Sequence, residues 1–134
     1  GGPFALKGVM SVEDAKRAID IGASAIMLSN HGGRQLDGSR APFDQLEKIV
    51  DAVGGKIEII VDGGIRRGTH VLKALSLGAT ACSFGKGYLF ALGAGGQKGV
   101  EALLQRMHDE IRRDMILLGC KTIKDLKKTN IAYR

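Results

Sequence analysis

Apolar residues fall in short unbroken runs along this chain, and each run is followed by a segment with helical spacing. FALKGV, at residues 4–9, leads into SVEDAKRAIDIG, where a serine precedes two acidic residues and a glycine closes the segment. A serine at the start, carboxylates in the first turn and a glycine past the end are the marks of a capped helix. The same unit recurs. ASAIMLSN passes through a glycine-rich loop to PFDQLEKIVDAVG, KIEIIVDGG leads to RRGTHVLKALSLG, and TACSFGKG leads to YLFALGAGGQKGVEALLQRMHDEIRRDMILLG. Four strand-then-helix units are predicted, with Gly22, Gly54 and Gly78 closing three of the helices.

The predicted strands are continuous apolar runs rather than alternating ones, so both of their faces should be covered, as in parallel strands joined by right-handed helical crossovers. The fold class is α/β, either an open doubly wound sheet or part of a TIM (βα)8 barrel. A whole barrel takes about 250 residues. This chain would be roughly half of one. In both architectures ligands gather at the C-terminal ends of the strands. The unusual polar clusters, at Lys7, at Ser29 to Arg34, at Asp62 to Arg67 and at Gly85 to Lys86, each fall at or near such an end.

Composition agrees with one globular domain over residues 1–134: hydrophobic residues make up 44% and mean hydropathy is +0.01. Twenty glycines and only 4% aromatic residues suit close helix-on-strand packing better than a β-sandwich. The net charge of +6 raises the question of nucleic acid. Much of that excess sits near the C-terminus, where Lys121, Lys124, Lys127, Lys128 and Arg134 face only Asp125. No aromatics interleave with these cations and no zinc-finger or RNA-binding signature occurs, so a solvated helix or an acidic partner surface is the better reading. Cys82 and Cys120 lack metal or redox spacing and are expected to be reduced thiols. There is neither a signal peptide nor an apolar run of about 20 residues. The opening GGPFALKG lacks a methionine, and a longer parent chain is expected.

The stretch SNHGGRQLDG carries the most chemistry. A neutral imidazole at His31 can accept a proton near neutral pH, and Arg34 can hold a carboxylate in a planar two-point grip. The glycines between them let backbone approach a flat or phosphorylated ligand. VDGGIRRGTHVLKAL sets two glycines and two arginines between a strand and a helix start, which is enough for a phosphate site. Spacing does not say which of Arg66 and Arg67 faces the ligand. The segment matches neither a Walker loop nor the dinucleotide fingerprint. Gly85 and Lys86 add a glycine and a cation at the end of the next strand, and in barrels the last two such loops frequently share a phosphate. Lys7, a charge inside an apolar strand, should point at an anion or an electron-rich ring. His70 and His108 sit on predicted helix faces and are read as structural.

Together LKGV, SNHGGRQLDG, DGGIRRGTHVLKALSLGA and FGKGYLFALGAGGQKGV resemble, in order and spacing, the FMN-dependent (S)-2-hydroxy-acid dehydrogenases and oxidases. The final helical stretch is most similar to the bacterial L-lactate dehydrogenase branch. The resemblance implies an eight-stranded barrel of which this chain supplies the C-terminal half, strands five to eight. It implies FMN as cofactor and oxidation of an (S)-2-hydroxy acid, L-lactate first, to the 2-oxo acid. His31 matches the family's base and Arg34 its carboxylate ligand. Lys7 matches the lysine at the flavin N1 and O2 edge, and Ser29 a position near the ring. Asp62, Gly63, Gly64, Ile65 and Arg66 match the segment reaching the ribityl chain and phosphate, which Gly85 and Lys86 complete.

The expected partners are the small hydroxy acid, the N-terminal half of the barrel and further copies in a homo-oligomer, with no nucleic acid. A cytoplasmic location follows, with peripheral contact to the inner membrane left open. The family usually has Arg where Lys86 stands, which removes a bidentate grip while keeping the charge. The family's substrate-side tyrosines and base-orienting aspartate have no counterpart here, so this polypeptide alone is expected to have little or no activity. Two other readings stay open: a different FMN barrel enzyme, such as the isopentenyl diphosphate isomerase type, and a half-barrel assembly or phosphate-ligand-binding module without turnover. Open sheet edges make the assembly reading physically reasonable.

Overall fold

A computed structural model describes residues 2–132. Arg134 of the basic tail lies outside them. The four predicted units are present: β1 (Ala5–Lys7) and α1 (Val12–Asp20), β2 (Ala25–Leu28) and α2 (Pro42–Val53), β3 (Glu58–Asp62) and α3 (Gly68–Ser76), β4 (Ala81–Ser83) and α4 (Lys86–Leu117). The strands form one parallel sheet in the order β1-β2-β3-β4. Lys7 pairs with Met27, Leu28 with Val61, and Asp62 with Ser83. Sequential parallel neighbours joined by helices are what a segment of a (βα)8 barrel requires.

Local chemistry sets the helix ends. The Ser11 hydroxyl accepts the Asp14 amide at 3.0 Å and starts α1, and Pro42 occupies the first turn of α2. Gly54 caps α2 in the left-handed conformation at φ 57°. Gly78 has two reasons to be glycine: its φ is 99°, and a Cβ there would lie 2.7 Å from Val50 Cγ1. The predicted fourth strand shrinks to Ala81–Ser83, because the chain turns into α4 already at Lys86. α4 is not one uninterrupted helix. Gly95 and Gly96 leave helical geometry, the latter at φ 58°, and break it into two arms.

The core lies between the sheet and the helices. Ile26, Leu28, Ile59 and Val61 meet Ala15, Ala18, Leu46, Ile49 and Val53 there. The opposite sheet face, carrying Met27 and Ile60, is only partly buried. The continuous apolar runs predict two covered faces, and only one is fully covered among these residues. The half-open face is the one a closed barrel turns inward. Among the described residues no helix is long and apolar enough to cross a membrane.

Leu46 is completely buried at the centre of the core. Leu46→Ala is expected to lower the unfolding free energy by about 2–5 kcal/mol, read as a shift of the urea midpoint with an unchanged slope.

Candidate active site

Three neighbouring strands deliver polar side chains to one point. Lys7 ends β1, Asp62 ends β3, and Ser29 follows directly on β2. Lys7 Nζ donates to Ser29 Oγ at 2.8 Å and pairs with Asp62 Oδ2 at 2.8 Å. Ser29 Oγ in turn donates to Asp62 Oδ2 at 2.7 Å. Burial alone would raise the Asp62 carboxyl. Hydrogen bonds from Lys7, Ser29 and Ser83, with the Lys7 charge, outweigh it and hold the carboxyl below its usual range. Of the two expected partners of Lys7, an anion or an electron-rich ring, Asp62 is the anion.

His31 stands two residues beyond this knot, and its amide donates to Ser29 Oγ at 3.2 Å. It opens a short 3₁₀ turn, His31–Gly33, with Asn30 capping it: Asn30 Oδ1 accepts the Gly32 amide at 3.0 Å. His31 itself has φ 56°, a left-handed conformation that costs a side-chain-bearing residue energy and that neighbouring structure must sustain. Its ring lies over Gly8, where an added Cβ would fall 2.9 Å from His31 Cε1. The end of β1 therefore acts as the seat of the imidazole.

The loop after β3 resolves the ambiguity between its two arginines. Arg67 turns onto α4, with Nε and Nη2 donating to Glu110 Oε1 at 3.1 and 2.9 Å. Glu110 also accepts the Gly68 amide at 2.8 Å and Arg106 Nε at 3.2 Å, and is only 5% exposed. The Arg67 hydrogen bonds, aided by those of Gly68 and Arg106, outweigh burial and hold the Glu110 carboxyl down at about 2. Arg67 is thus a structural residue. Arg66 faces the cleft, and its guanidinium has no ion pair among the described residues. Its amide donates to His70 Nδ1 at 3.2 Å, which gives His70 the structural task expected of it. Glu110 was not legible as a site residue. Its one signal is an arginine four positions earlier in a helix, a pattern common on solvated faces.

All these ends open onto one cleft of about 820 Å³. Every residue matched to the site by the resemblance lines it except Ser29, which is 1% exposed and sits behind the wall bonded to Lys7 and Asp62. His31 and Arg34 share the cleft with the 62–66 loop and with Gly85 and Lys86. Lys86 Nζ donates to the Gly32 carbonyl at 2.8 Å, linking the start of α4 to the His31 turn. The apolar part of the wall, formed by Phe84, Tyr88, Leu89 and Phe90, was not legible beforehand. No cluster of metal-binding side chains occurs among the described residues.

A parallel βα half-barrel with glycines and cations at its C-terminal rim defines a cofactor-binding barrel segment. Residues 1–133 match the FMN-dependent dehydrogenase family, and the chain belongs to it. It is 47% identical over 131 residues to L-lactate oxidase of Lactobacillus jensenii, covering 98% of this chain and 32% of that protein. It is 50% identical over 131 residues to pre-mycofactocin synthase of Mycobacterium tuberculosis, covering 98% and 33%. The crystal structure of mandelate oxidase with 3,3-difluoro-2-hydroxy-3-phenylpropionic acid superposes with a TM-score of 0.89 at 49% identity, covering 94% of this chain and 38% of that one. The chain spans about a third of the length of the curated relatives it matches. It corresponds to their C-terminal portion, and its sheet is half of their TIM barrel.

The depressed Glu110 carboxyl gives a pH signature. Its ionised form is favoured by folding, so its stabilisation is whole above the ordinary value of 4.5 and is lost as pH falls towards about 2. Glu110→Gln is expected to lower the urea midpoint at pH 7, with the gap to the parent closing between those two pH values.

Proposed function

We propose that this chain forms the cofactor-and-substrate wall of an FMN-dependent enzyme that oxidises an (S)-2-hydroxy acid to the 2-oxo acid. The observation that best supports the reading is convergence: His31 and Arg34 open onto the same cleft as the loop at 62–66. The wall suits FMN in its own right. Gly63 and Gly64 have open space where side chains would stand, so backbone can approach a phosphorylated chain. Arg66 offers an unpaired guanidinium, and the first amides of α4, after Gly85, add positive potential. Phe84 and Tyr88 provide apolar surface for a flat ring.

In this scheme Asp62, Gly63, Gly64, Ile65 and Arg66 hold the ribityl chain and phosphate, with Gly85 and Lys86 at the same end. Lys7 stands at the ring's edge, with Ser29 bonded behind it. When bound, the flavin accepts the two electrons and the α-hydrogen that leave the substrate. His31 takes the hydroxyl proton. Arg34 grips the carboxylate and so fixes the α-carbon, which turns an encounter into an oriented reaction. The left-handed backbone at His31 and the bare glycine at Gly8, against which its ring lies, set where the imidazole sits. L-lactate is the substrate we favour, from the likeness to L-lactate oxidases, and the N-terminal half of the barrel is the partner that would cover the half-open sheet face. A cytoplasmic location and a homo-oligomeric state belong to the same proposal.

The test is anaerobic bleaching of the flavin in the full-length protein with L-lactate, glycolate and (S)-mandelate as separate arms. His31→Gln is expected to retain flavin and slow bleaching by about 10²–10⁴-fold; bleaching at the parent rate would sink the assignment of the base. The 134-residue chain by itself is expected to show little or no lactate-dependent dye reduction. Vigorous turnover by it would show that the site needs nothing from the other half.

A further inference from the structure

Each cation around the cleft has a distinct commitment. Arg67 is held by Glu110, Lys7 by Asp62, and Arg34 and Arg66 have no ion pair among the described residues. Lys86 differs from all of them, because its ammonium is seated on a backbone carbonyl. Resting on the reading above, we propose that Lys86 is a positioning residue for the loop that carries His31 and Arg34, beyond any charge it lends to a phosphate.

The loop has need of such a pin. Its other hydrogen bonds are local: the Gly32 amide to Asn30 Oδ1 at 3.0 Å, the Gly33 amide to the Asn30 carbonyl at 3.0 Å, and Asn30 Nδ2 to the Arg40 carbonyl at 3.2 Å. The His31 amide reaches back only to Ser29. Residues 31–38 are all exposed, and His31 is held in a left-handed conformation that a relaxed chain would leave. Against this, the bond from Lys86 Nζ to Gly32 O spans 54 positions and ties the turn to the first residue of α4. Gly32 is shaped for it. A Cβ at Gly32 would lie 3.3 Å from both Cε and Nζ of Lys86, a tight contact that the glycine avoids.

A lysine suits this task. Its ammonium is compact and carries three donors on a flexible stem, so one donor can hold Gly32 O while the charge remains at the cleft. The pinned carbonyl belongs to the residue after the base and lies two before the carboxylate clamp. Releasing it loosens both together.

The experiment uses the full-length protein with Lys86→Met and Lys86→Arg. Lys86 is exposed at a helix start, so neither substitution threatens folding. Cleavage by an arginine-specific protease after Arg34 and Arg40 is followed alongside FMN affinity, by quenching of flavin fluorescence, and steady-state kinetics with L-lactate. In Lys86→Met, cleavage is expected to quicken about tenfold and kcat/KM to fall by about tenfold or more, with much of the loss in KM, since a hydrogen bond from a charged donor is worth about that factor. Any loss of FMN affinity in Lys86→Met, where the charge at the phosphate end is removed, is read separately from cleavage, and Lys86→Arg should restore protection because it keeps a charged donor. Weakened FMN binding with unchanged cleavage would overturn the proposal and make Lys86 a phosphate ligand only. Parent-like behaviour in both assays would overturn it as well. If the parent protein bound no FMN, the functional reading would fail while the cleavage arm still judged the pin.

Discussion

A carboxylate drawn out of water at the end of β3 sets the terms for the rim of this sheet. The Asp62 side chain is 16% exposed, and an ionised group so placed is costly unless its oxygens are satisfied. The partners come from the neighbouring strand ends: Lys7 from β1, Ser29 from beyond β2 and Ser83 from β4. Parallel strands have no hairpins to fix their C-terminal ends relative to one another, and here that work is done by side chains. Ser29 then passes the constraint onward, since its hydroxyl also accepts the His31 amide. The backbone of His31 is thereby referred to three strands as well as to its own loop.

Much of this was legible in the sequence, for identifiable reasons. Capping serines, closing glycines and unbroken apolar runs are local signals, and they located four strand-helix units and the end of the sheet where chemistry gathers. A lysine at position 7 inside an apolar strand called for an anion or an electron-rich ring, and Asp62 supplies the anion. What was not legible depends on contacts distant in sequence. Glu110 lies 43 positions from Arg67, and nothing near either residue announces the pair. The choice between Arg66 and Arg67 follows from it, so that too was beyond local reasoning. The resemblance set Ser29 near a ring, and its geometry adds that it is a buried link behind the wall.

The break in α4 has a similar origin. GAGG reads as a tolerable interruption in a helical pattern, and only the backbone at Gly95 and Gly96 reveals two arms. The half-open sheet face is the instructive case of a correct signal with an incomplete outcome. Met27 and Ile60 are apolar because a closed barrel buries them, and their partial exposure here matches a chain spanning about a third of its relatives.

The clamp at Glu110 also explains how the cleft can afford two cations that are left unpaired. Gly68 lets α3 approach α4 so closely that any side chain there would collide with the Met107 carbonyl, and Glu110 closes the contact by accepting the Gly68 amide and Arg67. The amide-rich start of α3 is thereby tied to a carboxylate of the protein's own. Anion binding is left to Arg66, to the open glycines at 63 and 64 and to the start of α4. With Arg67 paired to Glu110 one residue away, the backbone that carries Arg66 is tied to α4, and an arginine on a tied backbone loses less freedom when it grips an anion. The same logic runs across the cleft, where Gly32 admits the Lys86 stem and Gly8 admits the His31 ring. In each case a glycine makes room for a charged or titratable side chain from another element, so that groups far apart in the chain are held at one rim.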